Sequence, residues 1–273
     1  ITGVITDKGT YTCDAAIIAT VGMSYPLTGS TGDGYELASS VGHSIVELRP
    51  SLIPLETKEH WVKDLMGLSL KNVEVAIIAK NKVQTKQFGE MLFAHFGVTG
   101  PIILSASHTV TKLFKKKVDP IIIEINLKPA LTREVLDKRV QRDFSESQNK
   151  QLVNVLKGLL PSKLIPVICQ LAELEGTKAI HDITKEERLR LVDTIQHMRL
   201  TVHKPRPIAE AIVTAGGISV KEVDPKTMQS KLVSGLYMAG EVLDVDAFTG
   251  GYNLQVAFST AYVAATHAAE GGV

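Results

Sequence analysis

Glycine crowds into two stretches at opposite ends of this 273-residue chain, Gly22–Gly42 and Gly216–Gly272, and is sparse between them. Charge divides at nearly the same places. Residues 1–50 carry 2 basic and 5 acidic side chains and residues 208–273 carry 3 and 7, whereas residues 51–207 hold 25 basic against 17 acidic. Two ends that share a composition their middle lacks are most simply one domain, assembled from both ends and interrupted by an insert. A chance fluctuation within a single domain is the alternative. At about 150 residues per domain, the length allows one to two domains.

The overall balance excludes several classes. A net charge of +1 gives no global attraction to nucleic acid or anionic lipid. Cys13 and Cys169 stand far apart, which rules out a disulfide scaffold or zinc ribbon and suits a reducing, cytoplasmic compartment. The longest apolar stretch, Ala15 to Met23, falls well short of the ~20 residues that span a bilayer. No membrane partner is expected.

Local patterning predicts an α/β base with a mixed insert. Gly3–Asp7 and Thr10–Thr12 read as a hairpin, and Ala15–Ala19 as a strand buried on both faces of a parallel sheet. A short helix over Tyr35–Val41 follows. In the insert, Val73–Ile78, Gln84–Phe88 and Ile121–Ile125 read as strands. From Thr132 the apolar period becomes helical: Leu131, Val135, Leu136, Val140 and Phe144 share one face, as do Leu152, Val153, Leu156 and Leu160. Thr184 and Glu187 form a capping box before a helix with Leu189, Val192 and Ile195 inward. A strand at Gly235–Ala239 and a small-residue helix over Asn253–Ala269 close the chain. The expected segments are therefore 1–50 and 208–273 for the base, 51–127 for a β-rich, barrel-like insert and 128–207 for a helical one.

Three glycine-rich segments carry the chemistry. In the string from Gly235 to Gln255, an apolar strand ends at Gly240 and a carboxylate, Glu241, follows at once. A carboxylate there accepts hydrogen bonds from ribose or ribityl hydroxyls. Thr249, Gly250 and Gly251 bring backbone close to a ligand, and the helix opening near Tyr252 and Asn253 aims free N–H groups at a pyrophosphate or an electron-rich ring. For an isolated Gly-Gly pair the competing reading is a tight turn with a solvated acid. The second segment, Ala19 to Gly34, places Thr20 and Gly22 at a strand end. It contains no GxxxxGK[ST], so Walker-type nucleotide binding is unsupported. The third, Val213 to Ser219, contains Gly216 and Gly217. Either of these two segments alone reads equally well as an ordinary turn.

The string GLYMAGEVLDVDAFTGGYNLQ, preceded by TAGGISVKEVDPKTM, resembles the FAD-binding carboxyl-terminal part of a bacterial flavoprotein family that includes aminoacetone oxidase and proposed bile-acid ene-reductases. SYPLTGSTGDGY and GEMLFAHFGVTGP match two further family segments in order, so the resemblance covers essentially the whole chain. It implies a Rossmann-like FAD domain, here partial, interrupted by a barrel-like and helical insert. It also implies that Glu241 faces the ribityl chain and that Thr249, Gly250, Gly251, Tyr252, Asn253, Leu254 and Gln255 wrap the pyrophosphate and isoalloxazine. Thr20, Gly22, Gly216, Gly217 and Gly240 would line the cofactor cleft. The chain departs from the family pattern at Val21-Gly22, where ATGG is usual, and at Ala247-Phe248, where Gly-Tyr is commoner. It contains no GxGxxG. The resemblance therefore leads to the expectation of a truncated form, lacking roughly a hundred leading residues and deficient in FAD.

The activity implied is an FAD-dependent oxidoreductase, first an oxidase of a small primary amine such as aminoacetone with oxygen as acceptor, otherwise an NAD(P)H-dependent ene-reductase. His95 is the candidate base, against a histidine satisfied in a packed turn. Tyr25, with Tyr252, offers an aromatic wall, against a role in the core. The other histidines show no metal-ligand spacing, so no metal is expected. Lys115–Lys117 and the Arg133–Arg142 cluster read as solvated faces without interleaved aromatics, so no nucleic-acid partner is expected. In the contrasting class, the chain is a non-catalytic remnant that pairs through an exposed sheet edge, with a homodimer as one outcome.

Overall fold

A computed structural model describes residues 1–270, so the last three positions of segment 208–273 lie outside the described residues. Its elements in chain order are β1 (Gly3–Thr6), β2 (Gly9–Thr12), β3 (Ala16–Ile18), α1 (Asp33–Ser40), β4 (Ile45–Ser51), β5 (Leu55–Thr57), β6 (Ser69–Ala79), β7 (Lys82–Ala94) and β8 (Gly97–Thr99). They continue with α2 (Pro101–Lys115), β9 (Ile121–Asn126), α3 (Arg133–Ser145), α4 (Leu152–Leu156), α5 (Ile165–Leu171), α6 (Lys185–Gln196) and β10 (Met198–Pro205). The last are β11 (Val213–Ile218), β12 (Leu236–Met238) and α7 (Tyr252–Glu270). Contacts divide the chain into two compact units, Ile1–Ile53 with everything from Arg206 onward, and Pro54–Pro205.

The unit Pro54–Pro205 is a closed six-stranded barrel in the order β10-β5-β8-β7-β6-β9 with five helices, α2 to α6. Alternation builds it: Ile121, Ile123 and Ile125 of β9 point inward between half-buried neighbours, as Val73, Val75 and Ile77 do on β6. Helix α2 starts at Gly100, where an added Cβ would lie 2.9 Å from the Met91 backbone, and buries Ile102, Ile103, Ala106 and Val110 in the same core as the strands. The barrel is not complete at residue 127. Strand β10 returns after the helices to pair with β9 and β5, so the helical stretch is an excursion between two barrel strands.

In α3 the buried stripe is Leu136, Val140 and Phe144, whereas Val135 is 48% exposed. One residue is about 100° of helix, enough to carry Val135 off a stripe spaced by four. Helix α4 stops at Leu156, before Gly158 and Pro161, although Leu160 is still buried. The capping box forms: Glu187 N–H donates to Thr184 Oγ1 at 3.2 Å and Thr184 N–H to Glu187 Oε2 at 2.8 Å.

The other unit is an α/β assembly of short sheets. β3 and β12 run parallel, with Leu236 opposite Ala16 and Met238 opposite Ile18. β11 and β4 pair antiparallel, and β1 pairs with β2. The expectation that Ala15–Ala19 is buried on both faces is corrected here. Ile17 is 40% exposed, because β3 belongs to a two-stranded sheet and only one of its faces reaches the core around Met238, Val242 and Ala264. No helix among the described residues is long and apolar enough to cross a membrane.

Candidate active site at the ends of a parallel strand pair

Because β3 and β12 are parallel, their carboxyl ends deliver two loops to the same edge, Ala19–Gly22 from one and Ala239–Glu241 from the other. Ala239 N–H donates to Ile18 O at 3.0 Å, which keeps the exits together. Helix α7 is pinned to this edge: Gly240 N–H donates to Thr260 Oγ1 at 3.0 Å, and the Thr260 hydroxyl donates back to Val256 O at 2.8 Å. Between the strand ends and the start of α7 lies a cleft of about 530 Å³, lined by residues of this unit alone. Its volume falls in the range of clefts that take small organic cofactors. Val21, Leu52, Ile212, Val245, Phe248 and Leu254 supply apolar walls, and Glu241 is the charged group on the lining.

The Glu241 carboxylate is fixed rather than floating. Thr214 N–H donates to Oε1 at 2.8 Å and the Ser24 hydroxyl to the same oxygen at 3.3 Å. Met23 N–H donates in turn to Thr214 Oγ1 at 2.7 Å. Gly22 is what lets these strand ends approach: a Cβ there would sit 2.3 Å from Thr214 Oγ1 and 2.9 Å from Glu241 Oε1. Nearby, burial pushes the Tyr35 phenol well above its ordinary range, and the negative charge of Glu241 adds to the rise. The hydroxyls of Tyr35 and Thr20 are both buried without a hydrogen-bond partner among the described residues.

The loop before α7 is shaped for close approach. Gly250 and Gly251 adopt φ of 118° and 88°, which side-chain-bearing residues rarely do. Asn253 holds the loop by exchanging two bonds with Ala247, at 2.9 and 3.0 Å. The first intrahelical bond runs from Gln255 N–H to Gly251 O at 2.9 Å, so the N–H groups of Tyr252, Asn253 and Leu254 have no acceptor within the helix.

Of the residues singled out from sequence, Thr20, Gly240, Glu241, Thr249, Gly250, Gly251, Asn253 and Leu254 line the cleft together. Gly22 stands behind it, against Thr214. Tyr252 is 62% exposed and, like the exposed Gln255, off the lining. Gly216 and Gly217 are buried in the β11–β4 ladder at a register shift, their α-carbons against the carbonyls of Glu47 and Val242. Tyr25 is half-exposed at a short 3-10 turn with φ 52°, and it also lies outside the lining. His95 is exposed in the tight β7–β8 turn of the barrel unit, edge-on to Phe96 at 5.0 Å. The sequence reading missed Leu52, Ile212, Val245 and the Ser24–Thr214 support of Glu241. The signal available was the apolar Ile212-Val213 pair at the start of the third glycine segment.

Residues 49–213 match the model of the HI0933-like protein barrel and H2TH domain. The chain belongs to the HI0933-like family. Over 255 residues it is 33% identical to the ribosomal RNA dihydrouridine synthase of Haemophilus influenzae, covering 93% of this chain and 60% of that protein. It is 29% identical to the 3-dehydro-bile acid delta(4,6)-reductase of Clostridium scindens over 97% of this chain and 64% of that protein. The ribosomal RNA dihydrouridine synthase of Escherichia coli is likewise 29% identical over 93% of this chain and 60% of its own length. This HI0933-like chain thus spans about three-fifths of these relatives. Within it, the family segment covers the whole barrel unit, while most of the cleft lies outside residues 49–213.

Proposed function

We propose that this chain carries the flavin-facing part of an FAD-dependent oxidoreductase, and that its reaction is reduction of an activated C=C bond. The carrying observation is the cleft: an apolar slot at the carboxyl ends of two parallel strands, closed on one side by Gly250-Gly251 and the start of α7, with one fixed carboxylate. Those residues fit a flavin. The apolar walls suit a flat ring system, the free N–H groups of α7 suit an electron-rich edge or phosphate, and Glu241 suits a ribityl hydroxyl.

FAD, when bound, supplies a two-electron hydride carrier. The chain's own residues position and shield. Thr214 and Ser24 hold the Glu241 carboxylate so that it accepts hydrogen bonds from hydroxyl groups without swinging, and Phe248, Leu254 and Ile212 give the slot apolar walls. The preference for reduction over amine oxidation is supported by the relatives' names. One is named for making a dihydro product and the other is named a reductase.

Titration of the purified chain with FAD, followed by flavin fluorescence, tests the site. Saturable binding that Gly250→Val weakens at least tenfold is expected; no binding, or binding indifferent to that change, overturns it. Anaerobic bleaching of the loaded protein then separates the chemistries. Bleaching by NADH or NADPH is the expected result, bleaching by aminoacetone instead would make it the amine oxidase, and bleaching by neither would remove both substrates.

A further inference from the structure

The stretch from Leu243 to Gly251 supplies one wall of the cleft through Val245, Phe248, Thr249, Gly250 and Gly251, yet it belongs to no helix or strand. A wall of that kind needs ties from elsewhere in the fold. Two are made by backbone amides: Asp244 N–H donates to Ile218 O at 2.9 Å, and Ala247 N–H to Asn253 Oδ1 at 2.9 Å. Between them stands Asp246, whose side chain is only 8% exposed. It is not on the cleft lining, so nothing said so far gives this buried carboxylate a task.

Strand β4 supplies its partners. Period two puts Arg49 and Ser51 on the same face of the strand. The Ser51 hydroxyl donates to Asp246 Oδ2 at 2.8 Å, and the Arg49 guanidinium stands 3.7 Å from Oδ1. Ser51 is itself buried, so water does not compete for that bond. A buried carboxylate is tolerated only where its charge and lone pairs are met. Asp246 therefore commits its stretch of chain to one seat on β4. Lining residues flank the contact on both strands of chain: Leu52 follows Ser51, Val245 precedes Asp246, and Phe248 lies two positions beyond it. Ser51 is also opposite Val213 of β11, which lines the cleft in turn. One contact between residues 195 positions apart thus joins two walls of the same cleft.

We propose that Asp246 is a positioning residue of the cleft: held by Ser51 and Arg49, it seats the wall from Val245 to Thr249 against β4, and ligand affinity depends on its charge through the placement of Phe248. The inference rests on the flavin reading for the identity of the ligand. The seating of the wall needs no ligand and is measured without one, so the failure of either is seen separately.

Amide hydrogen exchange of the flavin-free chain is the first test. Asp246→Asn keeps the size and shape of the side chain and removes the charge that faces Arg49, while Ser51→Ala removes the hydroxyl alone. Each should speed exchange at the Asp244 and Ala247 amides about tenfold and leave the Met238 amide of β12 unchanged. Asp244→Asn makes the same charge change two positions away, off the contact with β4, and should do neither. The second test is titration with FAD. Asp246→Asn should weaken binding about tenfold and Ser51→Ala about threefold, because a misplaced wall costs contacts it still contains. The visible circular dichroism of the bound flavin should change with them, which a loss of stability alone would not bring about. In a Phe248→Ala background, Asp246→Asn should cost less than about threefold, since the group it places is gone. Unchanged exchange in both variants, an equal effect from Asp244→Asn, or losses that add in the double variant overturn the proposal. A chain that takes up no FAD at all removes the flavin reading, and the exchange result still decides whether Asp246 seats the wall.

Discussion

Each strand of the barrel unit is hydrogen-bonded on both sides, whereas the unit made from the chain ends divides its described strands among three two-stranded sheets. Apolar exposure follows that difference. Among the described large hydrophobic residues exposed to solvent, all but Met66, Val83, Phe88, Val135 and Leu171 belong to the unit of the chain ends, with the fully exposed Leu27 and Ile5 at 84% the plainest cases. Closing a barrel leaves no sheet edge and turns one face of every strand into a shared interior. A two-stranded sheet has two open edges and too few neighbours to cover its faces. The cleft lies in this open unit: the slot beside Glu241 forms where β3 and β12 end side by side against the start of α7.

The largest expected effect tests the closed side. Phe93 is fully buried in the barrel core, so Phe93→Ala should cost about 3–5 kcal/mol in denaturant unfolding. Its cost should appear in the transition of the barrel unit, with amide exchange in the other unit unaltered. A cost below about 1 kcal/mol would mean that the barrel core is not the cooperative one. Next comes the close approach on the open side. Gly22→Ala forces a methyl against Thr214 and Glu241, which should cost about 1–3 kcal/mol as overpacking and weaken flavin binding with it. Retained flavin affinity at reduced stability would separate the network from the site.

Smaller effects sharpen the contrast. Thr184→Ala removes the cap of α6 and should cost about 1 kcal/mol, all of it within the barrel unit. The acid limb gives the least. Lys178 Nζ and then Thr184 N–H hold the Glu187 carboxyl below its usual 4.5. A carboxyl depressed in the folded state stabilises fully above its ordinary value and loses that contribution as pH falls through the folded one. Stability of α6 should therefore hold at neutral pH and decline below about pH 4.5, and Glu187→Gln should shallow that decline in a pH series of thermal melts. An identical acid limb in the variant would assign the loss to other carboxylates such as Asp193, which Arg133 likewise holds low.

Much of this was legible from residue order. The runs Val73–Ile78, Gln84–Phe88 and Ile121–Ile125 marked β6, β7 and β9, the stripe Leu136–Val140–Phe144 marked α3, and the Thr184–Glu187 pair marked the start of α6, because each depends on side chains within a few positions of one another. The Glu241 and Gly250–Gly251 part of the cleft was legible for the same reason, as a strand end, a turn and a helix start in one continuous string. Strand β10 was missed although Met198, Leu200 and Val202 alternate with Arg199 and Thr201, since its partners lie more than seventy residues upstream on β9 and further still on β5. Tertiary structure alone decided that Ile17 stays exposed, that Gly216 and Gly217 serve a ladder rather than the cleft, and that Thr214 and Ser24 hold Glu241. It also decided that the arginines of the helical part are cancelled by carboxylates such as Asp193, Asp143 and Asp137. Residue order specifies which surfaces are apolar, charged or bare of a Cβ, but which of them meet depends on register and closure across long loops, and those are set by packing.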